Sequence, residues 1–216
     1  MEKFFRVDGK FYTVMSKIVD LFLLSVFWII GCLPVVTLLT STASMYHTVV
    51  KCVRYDRGSV FREFMEAYKK NLKQGIGLTI LYGALGALIG IVDYQVFVMS
   101  VDRTILLFAA AFGMVLLSVL WLLNVLWLVP VFSRFLNSLG NIIKLNYVVA
   151  GRHLLRSIPI LAVVAVSAVL TLAVNELILI LPALVMLVNS YLAEPALRKY
   201  MPAQEEDNGD WRYGFQ

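Results

Sequence analysis

The sequence predicts an all-α fold: a polytopic membrane helical bundle of about six transmembrane helices in three hairpins, with cytoplasmic amphipathic helices beside them. Three observations predict it. Of the 216 residues 60% are hydrophobic and only 15% charged, against about half and a quarter in ordinary soluble domains. The apolar residues fall in blocks long enough to cross a bilayer, which takes about 20 residues. The lysines and arginines cluster in the segments that six crossings would leave on one side.

The blocks define the elements in order. Residues 18–33 form the first span, and the charge-poor start is expected to be a retained span because no small-residue cleavage site follows it. Pro34 cannot continue a helix, and Gly31 loosens the chain just before it. The stretch from Gly31 to Pro34 is therefore expected to be a hairpin tip, and residues 35–53, uncharged until Lys51, to be the returning span. Further spans are expected at 75–99, 104–132, 158–174 and 177–194. Residues 1–200 read as one membrane domain, and 201–216 as a polar, mobile tail.

Charge placement tests the count. With six spans, all of the nineteen lysines and arginines except Arg103 fall on one side, as the positive-inside rule requires. Five spans would set the N-terminal Lys3, Arg6, Lys10 and Lys17 against the rest. Both termini are thus expected in the cytoplasm, with very short outer turns around Pro34, residues 100–103 and Asn175-Glu176. The net charge of +5 reads as an orienting and headgroup-binding charge, not as a nucleic-acid footprint.

Residues 58–75 are amphipathic. Phe61, Phe64, Met65, Tyr68 and Leu72 follow helical spacing, while Arg62, Glu63, Glu66, Lys69, Lys70 and Lys73 face away. This is expected to be a separate helix at the bilayer surface with its aromatic side in lipid, or a docking helix for a cytoplasmic partner through Phe61, Phe64, Met65 and Tyr68. Residues 135–159 occupy the matching cytoplasmic place before the last hairpin. In the N-terminal segment, Phe4, Phe5, Phe11, Tyr12 and Met15 read as interface anchors.

Several polar residues sit in apolar surroundings. Thr37, Ser41, Ser44 and Thr48 recur at spacings of four, three and four, with Thr40 and His47 beside them. Such a stripe is a helix–helix packing face or the lining of a pathway, and His47 can titrate near neutral pH. Asp93, Asn124 and Asn189 lie within apolar spans. Asp93 falls near the outer boundary, and interhelical hydrogen bonding is expected for the two asparagines. Lys17 and Asp20 are spaced for a local ion pair, and Glu194 before Pro195 reads as a helix end.

Little chemistry is legible. There is no P-loop, dinucleotide glycine pattern, HExxH or framed nucleophilic serine, so a non-enzyme is expected. Cys32 and Cys52 are too few for a disulfide framework. No His or Cys spacing suggests a metal, and no cofactor is implied.

The string DGKFYTVMSKIVDLFLLSVFWIIGCLPVVTLLTSTASMYHTVVKCVRYDRGSVFREFMEAYKKNLKQG resembles the N-terminal signature of the YesL-like bacterial membrane proteins. GKFY, LPVVT, the Ser/Thr arm ending in Tyr46 and FREFMEAYKKNLKQ carry the likeness, which covers about the first third of the chain. That family more often has Gly-Ala where Leu39-Thr40 stands here and usually lacks His47. The resemblance implies a small integral protein of the bacterial cytoplasmic membrane with no assigned activity. It also implies a gene neighbourhood of ABC-type carbohydrate importers. The expected function is an accessory or interaction component of such uptake, with importer permease subunits and the lipid bilayer as partners. The alternative is a small permease for a sugar or oligosaccharide, motivated by the hydroxyl stripe.

Overall fold

The structure, a computed structural model, describes residues 10–100, 105–135 and 138–201. These residues are helical almost throughout, with no strand among them. Seven α-helices follow in order: α1 Lys10–Cys32, α2 Leu38–Thr48, α3 Val60–Ser100, α4 Ile105–Arg134, α5 Leu139–Arg152, α6 Leu154–Ala173 and α7 Leu181–Leu197. The N-terminal nine residues, residues 101–104 with Arg103, and the polar tail from 202 onward lie outside the described residues.

The first hairpin forms where it is expected. α1 stops at Cys32, and Pro34 leads through a short 3-10 turn, Val35–Thr37, into α2. The Thr37 hydroxyl lies 2.7 Å from both the Gly31 and Pro34 carbonyls. It thereby satisfies acceptors that the broken helix leaves open. Side-chain packing forbids anything larger at the tip: a Cβ on Gly31 would stand 2.6 Å from Ser41 Oγ. α2 is prolonged by a wider π-helical turn, Val49–Arg54. The chain then reverses through Asp56, at φ 51°, and Gly58, at φ 86°.

Among the described residues, four helical stretches are long and apolar enough to cross a membrane: Thr13–Cys32, Val60–Val98, Ala109–Arg134 and Leu154–Ala173. The other two expected spans, 35–53 and 177–194, do not form single long helices. The first is divided into 3-10, α and π pieces after Pro34. In the second, a 3-10 turn at Asn175–Leu179 precedes the 17-residue α7, which has Pro182 in its first turn. Six spans in three hairpins are therefore not established by helix length and composition.

α3 departs most from the sequence expectation. Residues 58–75 and 75–99 were expected as a surface helix followed by a span, but Val60–Ser100 is one helix of 41 residues. At 1.5 Å per residue it is about 60 Å long, twice the hydrocarbon thickness of a bilayer. Nothing at Gly75 stops the helix, because a glycine inside a helix costs only about 1 kcal/mol. The first hairpin packs against the N-terminal half of α3. Tyr68 Oη donates to the Gly31 carbonyl over 3.4 Å, and the Leu39 amide donates to Thr79 Oγ1 over 3.3 Å. From Thr79 to Ser100 the helix rises about a further 31 Å. The hairpin tip therefore lies against the middle of α3, not level with its end.

Two apolar clusters hold the bundle. One gathers Leu39, Leu78, Trp127, Val131, Phe132, Ile142 and Leu197 from α2, α3, α4, α5 and α7. The other gathers Leu21, Leu24, Met45, Val49, Val60, Phe64 and Ala183 around the first hairpin, the start of α3 and α7. α5 belongs to the first cluster through Ile142 and Val149. The segment 135–159, expected on the cytoplasmic side of the last hairpin, thus contributes to the core.

Candidate functional site: a buried polar girdle beside an open-sided cavity

The hydroxyl stripe on α2 is a packing face. Ser41, Ser44 and Thr48 are fully buried and Thr37 nearly so. Ser41 donates to the Trp28 carbonyl of α1 over 3.0 Å. Ser44 and Thr48 donate one turn back along α2, to Thr40 at 2.7 Å and Ser44 at 2.8 Å. Hydroxyls satisfied inside the helix leave a small, smooth surface, and neighbouring helices approach closely. The closest approach is to Gly75 of α3, where an added Cβ would run into the Thr40 side chain and stand 3.2 Å from its Cα. His47 lies at the end of this stripe with Nε2 3.9 Å from Glu63 Oε2, an acid also bound by Lys51 at 2.6 Å.

The aromatic residues of the predicted docking helix face α1. Phe64 is buried and stacks near Phe27 and Tyr68, each with ring centroids 6.0 Å away. Met65 and Tyr68 are partly buried against the same cluster. Phe61 remains 59% exposed but meets Phe27 edge to face at 5.4 Å. Lipid or a cytoplasmic partner was expected on this side; α1 covers most of it instead, because the first hairpin packs on the apolar face of α3.

The deepest polar cluster joins three helices. Arg134 at the end of α4 meets Glu194 of α7 with two contacts, Nε to Oε1 at 2.7 Å and Nη2 to Oε2 at 2.6 Å. Tyr46 of α2 donates to Glu194 Oε1 over 3.0 Å. All three residues are at least 95% buried, so the paired charges rely on one another and on the phenol in place of water. Glu194, expected to be only a helix end, is thus a central tie. A second cluster joins α3, α4 and α5. Tyr82 Oη donates to Asn124 Oδ1 over 2.9 Å, and Asn146 Nδ2 donates to the same oxygen over 2.7 Å. Asn124 therefore makes the interhelical bonds expected of it. Tyr82 and Asn146 were missed: the phenol lies among apolar neighbours, and Asn146 lies in the segment 135–159, placed outside the spans.

The remaining candidates are dispersed. Asp93 accepts a short hydrogen bond from Ser118 across α3 and α4. Asn189 is buried, but its Oδ1 has no hydrogen-bond partner, unlike the bonded asparagine that was expected. Lys17 pairs with Asp56 at 3.2 Å, a partner that the left-handed turn after α2 brings within reach; the local pair with Asp20 was expected. Between α5 and α6, His153 lies 5.9 Å from Trp127 and 6.0 Å from Tyr200, measured between ring centroids. Burial, and then the positive charges of Arg156, Lys199 and Arg152, lower its pKa below the ordinary imidazole value.

Both clusters border a cavity of about 450 Å³ that is open on one side. Tyr46 and Tyr82 lie in its wall, as do Leu39, Thr42, Trp121 and Asn189. It borders α2 on the face carrying Leu38, Leu39, Thr42 and Tyr46, not on the hydroxyl stripe. Among the described residues, no three His, Cys, Asp or Glu side chains group as metal ligands.

Residues 21–94 match the model of a family described as a protein of unknown function, DUF624. The matched stretch runs from the middle of α1 to most of α3, and so includes the first hairpin and the α2 and α3 walls of the cavity. No curated protein and no solved structure matches the chain.

Proposed function

We propose that the chain is a YesL-like, multi-pass protein of a bacterial cytoplasmic membrane, with both termini in the cytoplasm. We further propose that it is not an enzyme and acts through protein contacts, as an accessory component of ABC-type carbohydrate uptake. The observation that carries this reading is the outward stripe of α3. Arg62, Glu66, Lys69, Lys70 and Lys73 are exposed along it. Further along, the exposed positions become Ile80, Leu81, Leu88 and Ile91. One helix therefore offers a basic ridge suited to water beside a stretch suited to lipid. Four cations with one acid fit an acidic partner surface, and such complementarity steers association and sets specificity.

The match over residues 21–94 and the quoted N-terminal string support the family part of the reading. The gene neighbourhood that the YesL-like resemblance implies supports the uptake role. Purification from native membranes in mild detergent tests it. The wild type is expected to recover importer permease subunits, and the Lys69→Glu, Lys70→Glu, Lys73→Glu triple variant to lose them. Repeated recovery of the wild type without a permease would overturn the reading. The sugar-permease alternative rested on the hydroxyl stripe, whose groups donate to carbonyls within the bundle. Sugar flux in liposomes holding the purified protein would restore it.

A further inference from the structure

The cavity between α2, α3, α4, α6 and α7 is built for hydrocarbon. At about 450 Å³ it has the size of a small-molecule site. Apart from Thr42, Tyr46, Thr79, Tyr82, Asn189 and the indole nitrogen of Trp121, its wall carries no polar side chain. Four of those groups already donate to protein acceptors. Thr42 donates to the Leu38 carbonyl at 2.7 Å, Thr79 to the Gly75 carbonyl at 2.8 Å, Tyr46 to Glu194 and Tyr82 to Asn124. Two wall residues keep a buried polar atom without a partner: Asn189, an acceptor at Oδ1, and Trp121, a donor at Nε1. Asn189 as a whole is 6% exposed, so water does not readily satisfy it.

These observations discriminate between ligand classes. A sugar presents several hydroxyls, each of which loses water on entry and needs a replacement. This wall offers too few. A hydrocarbon chain needs none and gains from leaving water. The lipid source follows from the walls, since α3, α4 and α6 contain three of the four stretches apolar enough to cross a membrane. The geometry points to a site for one acyl chain of a bilayer phospholipid, inserted from the open side. This goes beyond the uptake role and does not depend on it.

Native mass spectrometry of the full-length protein tests the site, after extraction in mild detergent and titration with phosphatidylglycerol. Two variants fill the cavity from opposite walls. Gly83→Phe starts from a lining glycine whose added Cβ meets nothing within 4 Å, and it replaces a helix-interior glycine by a better helix former. Val164→Phe fills from α6. The wild type is expected to retain one phospholipid that survives detergent exchange, and each variant to retain it at least tenfold less while keeping wild-type helicity. Equal retention in wild type and both variants would mean surface lipid only and would overturn the proposal. So would a wild type that holds no phospholipid anywhere in the titration.

Discussion

Glu194 sits 2% exposed between the Arg134 guanidinium and the Tyr46 phenol. A buried charge keeps its partner tolerable; removing one side strands the other. Glu194→Ala is expected to lower the unfolding free energy by about 3–5 kcal/mol. Replacing both charges, Arg134→Met with Glu194→Leu, should recover most of that loss, because no buried charge is then left alone. Thermal unfolding in detergent, followed by tryptophan fluorescence, measures both. A single variant no less stable than the double would refute the coupling. The sequence made the residue visible but not its role. Glu194 precedes Pro195, which locally marks a helix end, and its partners are 60 and 148 positions away. Lys17 teaches the same point. Its spacing to Asp20 suits a helix pair, yet a turn far along the chain supplies Asp56.

At the scale of the element, α2 and α3 pack closely because small residues meet. Gly75 lies on Thr40 with no room for a Cβ, and the Thr42, Ser44 and Thr48 hydroxyls turn back onto α2 itself. Gly75→Val is expected to force the two helices apart and to cost about 1–3 kcal/mol, the usual penalty of overpacking. Adding Thr40→Ala should return part of it, since the nearest obstructing atom is the Thr40 side chain. The same unfolding measurement, with the double variant no better than the single, would show that this contact does not limit the approach. The stripe at Thr37, Ser41, Ser44 and Thr48 was legible from spacing alone. Whether it faced a neighbour or a pathway was not, since both uses need the same small polar residues. The continuity of α3 was also hidden. Residues 58–75 and 75–99 differ in composition, but both are helical in period, and periodicity cannot show whether two helical stretches join.

The whole molecule is organised by the length of α3. A helix of about 60 Å cannot lie within one hydrocarbon layer of about 30 Å unless steeply inclined. Its exposed stripe changes from basic to apolar between Lys73 and Ile80, which predicts for α3 a change from water to lipid contact over that interval. In right-side-out membrane vesicles, cysteine introduced at Lys73 is expected to react with an impermeant maleimide only after the vesicles are opened. Cysteine at Ile80 or Leu88 is expected to stay protected throughout. Labelling of the Lys73 position in sealed vesicles would invert the orientation. Equal labelling at Lys73 and Leu88 would remove the boundary.

Sequence alone determined the helical class, the presence of apolar runs long enough to cross a membrane and the break at Gly31–Pro34. Each of these depends on residues within a few positions of one another: apolar runs, helical period, and a proline without an amide hydrogen. Tertiary structure decided that the hairpin tip meets the middle of α3, that Arg134, Glu194 and Tyr46 converge, and that a hydrocarbon-lined cavity opens beside Asn189. Those outcomes depend on which helix faces meet across long stretches of chain. Many faces in this sequence are equally apolar, so hydropathy could not choose among them; close approach at small residues and the pairing of buried polar groups made the choice.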